Sequence, residues 1–252
     1  MNPIRACLFS LLAATCLASS LAAEEWWWKP YNPKAPGTLF HASWNDMGPG
    51  FQSSDDIDSE VTGPHQAYAP ESVNEAFGMC VRLGQPTGAS LGDPSCLKYP
   101  AEGKMSPVKG TIEFWFKPSV ILADNKNMIS FFKCGNFWLR GDPHEPGARW
   151  MALEIGGDAH RFHMKFPPDF FEGDWGWHHL ALTYDFSDPM LGMVEFFIDG
   201  ISIGRTNKLD ASGLKLGETI VLGNNGEDNF LTNGFYDEFR ISDVVREFGD
   251  RP

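Results

Sequence analysis

The sequence has little positive charge, few cysteines and only one long apolar run. Lysine and arginine number 20 against 33 aspartate and glutamate residues, which gives a formal net charge of −13 at pH 7. A surface with this excess of acid repels phosphate backbones and anionic lipid, and no cluster of basic residues offsets it. The composition therefore argues against nucleic-acid binding.

The apolar run lies at the N-terminus. Residues 1–23 contain one basic residue, Arg5, and no acid, and the apolar stretch ends in small residues before Glu24. This order is typical of a secretory signal peptide, and the stretch is shorter than the roughly 20 residues that a membrane-spanning helix needs. We expect cleavage after Ala22 or Ala23, and a mature protein that is secreted, periplasmic or at the cell surface, without a membrane span. Loss of the single cation changes the net charge from −13 to −14.

Cleavage also leaves an odd number of cysteines, Cys80, Cys96 and Cys134, in an oxidising compartment. Cys80 and Cys96 each occupy the parity opposite to the apolar residues of their segments, whereas Cys134 shares parity with Phe132. We therefore predict a disulfide between Cys80 and Cys96, which closes a loop of about 15 residues. Cys134 is predicted to be a buried thiol.

The mature chain shows no long helical periodicity. Residues 24–36 hold three consecutive tryptophans, Trp26–Trp28, and three prolines, and predict an extended lead. From Thr38 onward apolar and polar residues alternate with period two, which is typical of strands. Segments with this pattern are 38–45, 77–83, 96–99, 111–117, 128–134, 137–140, 149–155, 161–166, 177–185, 194–200, 219–223 and 235–242.

The connections between these segments favour antiparallel sheets. Asp199-Gly200 lies between two isoleucines, and a two-residue Asp-Gly turn in this setting predicts a hairpin. Residues 47–76 are rich in Ser, Asp, Gly and Pro and are predicted to form a long loop. Because no crossover helix is apparent, we expect two antiparallel sheets packed face to face.

The order of the segments is more specific than their composition. TLFHASWND, GTIEFWFKP, WHHLALTYD with its downstream IDG turn, and the closing DEFRIS follow one another along the chain. Together they resemble the bacterial laminin-G-like jelly-roll domains of the concanavalin A-like lectin/glucanase superfamily. The resemblance covers residues 37–246, with 247–252 as a tail, and implies an all-β sandwich of two antiparallel sheets. This fold hosts lectins, adhesion modules, glycan-binding modules and glycanases.

The sequence shows no pair of acids suited to glycoside hydrolysis. Such chemistry needs two carboxylates about 5 to 9.5 Å apart, and the ExDxxE strand motif of laminarinase-type glucanases is absent. Glu195 and Asp199 are four residues apart, but Asp199 belongs to the predicted turn. We find no HExxH motif either. The sequence therefore favours a non-catalytic domain. The alternative is a polysaccharide hydrolase or lyase whose active site differs from the known motifs.

Two acids are predicted to face the core. Asp237 has the parity that we assign to the apolar residues of 235–242, and Asp46 has that of the apolar residues of 38–45. A buried ionised carboxylate needs hydrogen-bond donors or a cation. The resemblance supports a structural calcium bound by Asp237, with Asn45 or Asp46 as its partner, because the first and last strands of a jelly roll commonly lie side by side. The alternative is that loop amides donate hydrogen bonds to Asp237.

Exposed tryptophans are candidates for stacking on sugar rings. Trp115 lies on the outward parity of its strand, Trp138 and Trp150 lie on strands that could flank it, and Trp175 lies near a loop. Packing within the protein is the alternative for each of them. The Trp26–Trp28 cluster is expected to cover a sheet edge or to anchor a partner.

The sequence thus favours an exported, non-catalytic recognition domain that binds a glycan or a surface protein. A structural surface component without a small ligand is the other alternative.

Overall fold

The computed structural model describes residues 34–44, 60–62, 65–68, 80–83, 95–118, 128–145, 148–156, 160–166, 176–224 and 234–248. The strands are β1 Thr38–Ala42, β2 Glu60–Thr62, β3 His65–Tyr68, β4 Cys80–Leu83, β5 Ser95–Pro100, β6 Lys109–Pro118, β7 Ile129–Cys134, β8 Phe137–Glu145, β9 Ala148–Ile155, β10 Arg161–Lys165, β11 His178–Asp185, β12 Gly192–Ile198, β13 Ile201–Leu209, β14 Thr219–Asn224 and β15 Gly234–Ser242. None of the described residues belongs to a helix that could cross a bilayer.

The strands form two antiparallel sheets, as predicted. The first sheet has the order β13-β12-β11-β6-β15-β4-β3, and β1 pairs with β15 beside this path. The second sheet has the order β10-β9-β8-β7-β14-β5-β2. In the β1–β15 pair, Ala42 lies opposite Phe239, so the predicted pairing of the first and last predicted strands is confirmed.

Alternating apolar residues of both sheets form the core between them. On β6 the residues Ile112, Phe114 and Phe116 face inward, as their spacing predicts, and all three are fully buried. Rings from the two sheets meet here: Phe114 lies 6.0 Å from Phe131, measured between centroids. Burial of each such side chain stabilises the fold by about 1.5–3 kcal/mol.

Two short strands lie where the sequence predicts only a loop. Within 47–76, β2 pairs with β5 and β3 pairs with β4, each at the end of its sheet. Strands of three and four residues have too little alternation to stand out in a sequence. Short edge strands are also a common way to limit unwanted pairing with other chains.

The Asp-Gly hairpin is confirmed. Asp199 and Gly200 have φ values of 51° and 76°, the left-handed conformation that the tightest hairpin turns require. Asp199 is also tied to β11, because its Oδ1 accepts a hydrogen bond of 2.9 Å from the backbone N–H of His179 and its Oδ2 lies 2.8 Å from His178 Nδ1. Burial opposes ionisation, but these two histidines outweigh it and hold the pKa of Asp199 below its ordinary value.

A β-bulge in β15 changes which residues face the core. Asp237 lies opposite Trp115, yet Arg240 lies opposite Glu113, so β15 has one residue more than β6 in this stretch. Glu238 takes up the extra residue with a φ of 49°. The core residues of β15 are Tyr236, Phe239 and Ile241.

The predicted inward parity of Asp237 is therefore wrong. Asp237 lies on the outer face of the first sheet, on the same side as Phe235, because the bulge shifts the alternation by one residue between Tyr236 and Phe239. Asp237 is nevertheless fully buried.

The predicted disulfide is also wrong. Cys80 lies on β4 of the first sheet and Cys96 on β5 of the second, and both are buried thiols. Their outward parity was predicted correctly, but outer faces of opposite sheets point away from each other. Cys134 is a buried thiol in the core, as predicted, and burial raises its pKa.

Candidate ligand-binding face

Residues 243–248, which we call the C-terminal strap, pack on the outer face of the first sheet. Phe248 packs on Phe197 of β12, with ring centroids 4.8 Å apart, and both form a small apolar cluster with Ala181 of β11. Thr111 of β6 fixes the start of the strap, because its hydroxyl donates a hydrogen bond of 2.7 Å to the Val244 carbonyl. The strap thus crosses three central strands of this sheet.

A buried ion network lies beneath the strap. The Oε1 atom of Glu113 is 2.8 Å from Arg240 Nη2 and 3.2 Å from Arg246 Nε, and its Oε2 atom is 3.4 Å from His179 Nε2. Burial favours the neutral acid, but His179 and the two arginines outweigh it and hold the pKa of Glu113 below its ordinary value. The network joins β6, β11 and β15 to the strap.

Trp115 lies on this covered face. Its outward parity is as predicted, but its side chain is only 1% exposed and its ring centroid lies 5.6 Å from that of His179. A ring so enclosed offers no surface for a sugar, so the structure does not support the predicted stacking role of Trp115.

Asp237 has an unusual environment for a carboxylate. Its Oδ1 atom accepts a hydrogen bond of 2.8 Å from the Glu238 backbone N–H, and within the described residues its Oδ2 atom has no hydrogen-bond partner. Burial, aided by the charge of Glu238, raises the pKa of Asp237 to about 9. The bulge turns Glu238 toward β1 instead, where its Oε2 atom lies 2.9 Å from His41 Nε2.

The predicted partners of Asp237, Asn45 and Asp46, lie outside the described residues. Among the residues that the structure does describe, no group of three His, Cys, Asp or Glu side chains could hold a metal ion. The lone Oδ2 atom of Asp237 is nevertheless an orphaned hard oxygen ligand, which fits the chemistry of calcium.

The outer face of the second sheet, which we call the front face, is polar across several strands. The pairing of the strands places its side chains in three rows: Lys98, Val221, Lys133, Trp138, Glu154 and Arg161; then Ser130, Arg140, Ala152 and His163; then Asp142, Trp150 and Lys165. Residues at the intervening positions, such as Leu139 and Leu153, belong to the core.

Arg140 is the centre of the front face. Its Nε atom lies 2.9 Å from Asp142 Oδ1 and its Nη1 atom lies 2.8 Å from Glu154 Oε2. Asp142 also contacts Arg161, whose Nη1 atom is 3.3 Å from Asp142 Oδ2. Two acids and two guanidinium groups from three strands therefore hold one another in fixed positions.

Two tryptophans of this face have different surroundings. Trp138 is only 8% exposed, and two cations lie over its ring: Lys133 Nζ is 4.7 Å and the guanidinium carbon of Arg140 is 4.8 Å from the ring centroid. Cations occupy the positions that a stacked sugar would need, so its predicted stacking role is not supported either. Trp150 is partly exposed, and its ring meets His163 edge to face at 4.7 Å between centroids. Trp175 lies outside the described residues.

The polar residues of the front face escaped the sequence analysis, although their signal is present. Trp138, Arg140 and Asp142 share one parity within β8, opposite to the core residues Phe137 and Leu139. What the sequence does not contain is the strand order that puts β8 between β7 and β9, so residues distant in sequence could not be grouped.

Comparison with known families identifies the class of protein. The family model described as the concanavalin A-like lectin/glucanases superfamily, of laminin-G type, matches residues 93–247. The chain therefore belongs to the concanavalin A-like lectin/glucanase superfamily, as the order of its strand segments indicated.

Solved structures share the fold at low sequence identity. Domain 4 of an extracellular arabinanase from Geobacillus stearothermophilus, solved in complex with arabinotriose, is 18% identical with a TM-score of 0.56, and the match covers 82% of this chain and 93% of that one. The binding domain of botulinum neurotoxin serotype D is 13% identical with a TM-score of 0.55, covering 83% of this chain and 49% of that one.

A structure of botulinum neurotoxin type C, whose cell entry is described as dependent on two ganglioside molecules, is 11% identical with a TM-score of 0.55 and covers 84% and 49% of the two chains. The protein thus spans about half the length of the toxin domains that it matches. These likenesses show a common fold. No curated protein sequence matches this chain.

Proposed function

We propose that this protein is an exported recognition domain that binds a glycan through the front face of its second sheet. The observation that carries the proposal is the contrast between the two outer faces. The strap packs on β6, β11 and β12 of the first sheet, whereas the front face carries polar side chains from four neighbouring strands: Arg140 at its centre is only 5% exposed, and the accessible part of the face is its β10 edge, where Arg161 and His163 are partly exposed and Lys165 is exposed.

The chemistry of the front face suits sugar hydroxyls. Carboxylates accept hydrogen bonds from hydroxyl groups, and guanidinium and imidazole groups donate them. The network around Arg140 fixes these groups before a ligand arrives, which lowers the entropy cost of binding. Trp150 adds a partly exposed aromatic ring beside His163. Carbohydrate recognition by structural neighbours, seen in the arabinotriose complex and in the ganglioside dependence of the toxin, supports the same class of ligand.

We also propose a structural calcium at Asp237. Asp237 is fully buried, and among the described residues its Oδ2 atom has no hydrogen-bond partner, so this oxygen is a ligand that a hard cation could use. Asp237 would supply one oxygen ligand, and the ion would neutralise a carboxylate that is buried next to Glu238.

A glycan array of the mature chain tests the main proposal, followed by affinity measurements on the best-bound glycan. We expect Arg161→Ala on the front face to weaken that affinity at least fivefold. The matched control is Arg205→Ala on β13 of the first sheet, which should leave the affinity unchanged. Absence of specific binding to any glycan would contradict the proposal and favour a structural component.

The same glycans test the enzymatic alternative. Asp142 and Glu154 are both ion paired with the same guanidinium group, that of Arg140, which does not match two carboxyl groups that flank a glycosidic bond. We therefore expect no release of reducing ends and no unsaturated sugar during prolonged incubation. Formation of either product would establish a hydrolase or a lyase.

A further inference from the structure

Large apolar side chains are exposed together at one end of the first sheet. Among the residues that the structure describes, six such side chains are exposed. Five of them lie near the start of β6, where β11 and β15 end, and we call these five the end patch: Val108, Met190, Leu191, Val244 and Val245. The sixth, Ile201, lies at the opposite end of the sheet, after the Asp199-Gly200 turn.

Hydrogen bonds hold both parts of the end patch beside the start of β6. The backbone N–H of Phe186 donates a hydrogen bond of 2.6 Å to the Val108 carbonyl, which places Val108 next to the turn between β11 and β12. This turn carries the two most exposed residues of the patch. On the other side of β6, the hydroxyl of Thr111 donates its hydrogen bond of 2.7 Å to the Val244 carbonyl.

The N-terminal lead joins the fold at this same end. The backbone N–H of Asp243 donates a hydrogen bond of 2.9 Å to the Gly37 carbonyl, and a Cβ atom at Gly37 would lie only 2.8 Å from Val244 Cγ1. Residues 34–37 therefore lie against the start of the strap, next to the end patch. The residues that precede Lys34 are attached at this point.

From this juxtaposition we propose that the Trp26–Trp28 cluster of the lead packs on the end patch and covers it. Three consecutive indole rings and the five side chains of the patch are apolar surfaces that are favourable to bury against each other. Because Val244 and Val245 belong to the strap, the docked lead holds both ends of the chain on the first sheet.

The connection between the cluster and the fold is long enough for this contact. Lys34 follows Trp28 by six residues, and a chain of that length spans up to about 20 Å. Along β6, Val108 precedes Thr111 by three residues, which is about 10 Å at the usual rise of a strand. The cluster can therefore reach both parts of the patch.

The tether and the charge favour this chain's own lead over a second copy. A tethered segment meets its docking site at an effective concentration in the millimolar range, whereas a second copy must bind from dilute solution. Two copies of a protein with a formal net charge of −13 also repel each other.

Disulfide trapping in the mature chain tests the docking. Glu25→Cys is combined with Lys109→Cys, an exposed position at the start of β6, so that the tryptophans and the whole end patch are kept. The control combines Glu25→Cys with Glu102→Cys. Glu102 is exposed in the turn after β5 of the second sheet, where Lys104 Nζ lies 5.2 Å from the ring centroid of Phe40 of β1. The native cysteines are buried, and peptide mapping identifies the residues that react.

We expect the crosslink to Lys109→Cys to form within one chain and about tenfold faster than the crosslink to Glu102→Cys. Equal rates at the two positions would overturn the docking. A crosslink that joins two chains would also overturn it, because the patch would then accept a second copy.

A thermodynamic cycle assigns the contact to the tryptophans and to the patch. Replacing Trp26, Trp27 and Trp28 together by serine should lower the melting temperature by about 3 °C or more. The same replacement should have little effect in a chain that already carries Val244→Ser and Val245→Ser, because the surface for docking is then lost. In the matched control, Ile201→Ser, the full loss should remain. A full loss in the valine variant would contradict the contact.

Glycan affinity separates this inference from the proposed function. The docked lead lies on the first sheet, so the triple tryptophan variant should bind the best-bound glycan of the array with unchanged affinity. A tenfold or larger loss of that affinity would assign the tryptophans to the ligand instead of the end patch.

Discussion

Arg246 Nε lies 3.2 Å from Glu113 Oε1 and thereby ties the end of the chain to the middle of the first sheet. The same carboxylate contacts Arg240 of β15 at 2.8 Å, so one buried acid holds two guanidinium groups. The contact holds the strap over β6, β11 and β12 of one outer face, and we assign ligand binding to the other face.

The Glu113 network makes the first prediction. Glu113→Ala should lower the free energy of unfolding by about 3–5 kcal/mol, because it leaves Arg240 and Arg246 without their buried counter-ion. Urea denaturation measures the loss, and Glu102→Ala at an exposed position is the control, with an expected change within about 0.5 kcal/mol. Equal stability of the two variants would show that the network does not stabilise the fold.

Phe248 tests the strap itself. Phe248→Ala should cost about 3 kcal/mol, since it removes the ring that packs on Phe197. Hydrogen exchange should then increase in β11 and β12 beneath the strap and stay unchanged on β8 and β9 of the second sheet. Unchanged exchange throughout would mean that the strap does not protect this face.

The raised pKa of Asp237 predicts a pH dependence. The folded-state value is about 9 and the ordinary value is 3.8, so folding takes up a proton between these limits. In the absence of metal, the contribution of Asp237 to the free energy of unfolding is therefore most favourable below pH 4. This contribution falls as the pH rises toward 9. Asp237→Asn should remove this decline and stabilise the metal-depleted protein at pH 7 by up to about 4 kcal/mol. An asparagine variant with an unaltered pH profile would contradict this account.

When calcium is bound, we expect Asp237→Asn to destabilise the protein instead of stabilising it. A bound cation favours the ionised carboxylate, so chelation should lower the melting temperature of the unmodified protein. Asp237→Ala should abolish the response to the chelator, whereas Glu195→Ala on β12 should retain it. An unchanged melting curve of the unmodified protein in excess chelator would refute the proposed calcium.

Thiol chemistry tests the placement of Cys80 and Cys96. Because they lie on the outer faces of opposite sheets, the denatured protein should alkylate at Cys80, Cys96 and Cys134 without prior reduction. Mass spectrometry counts the added groups. A mass two units lower than expected, with two cysteines protected, would show that the predicted disulfide exists after all.

Much of the fold follows from the sequence, because strand formation is read from local alternation. β6 was predicted over 111–117 and extends over 109–118, and the Asp199-Gly200 turn needs only two residues to be recognised. The relative positions of the strands depend on contacts distant in sequence. The parities of Cys80 and Cys96 follow from local alternation, but alternation does not show that the two residues belong to different sheets.

The candidate site was harder to predict for the same reason. The bulge at Glu238 inverts the parity of Asp237, and nothing in DEFRIS marks the extra residue. Arg140 gains its role from Asp142 on its own strand and from Glu154 on the next, and the second of these contacts requires the register of the β8–β9 pair. Residue types were visible in the sequence, but their neighbours were not.

The central claim is that a glycan binds to the front face of the second sheet. Hydrogen–deuterium exchange of the mature chain with and without the best-bound glycan of the array locates the ligand directly. We predict protection of β8, β9 and β10 around Arg140, with no change in β6, β11 and β12 beneath the strap. Protection confined to the first sheet, or no protection at saturating glycan, would contradict the claim.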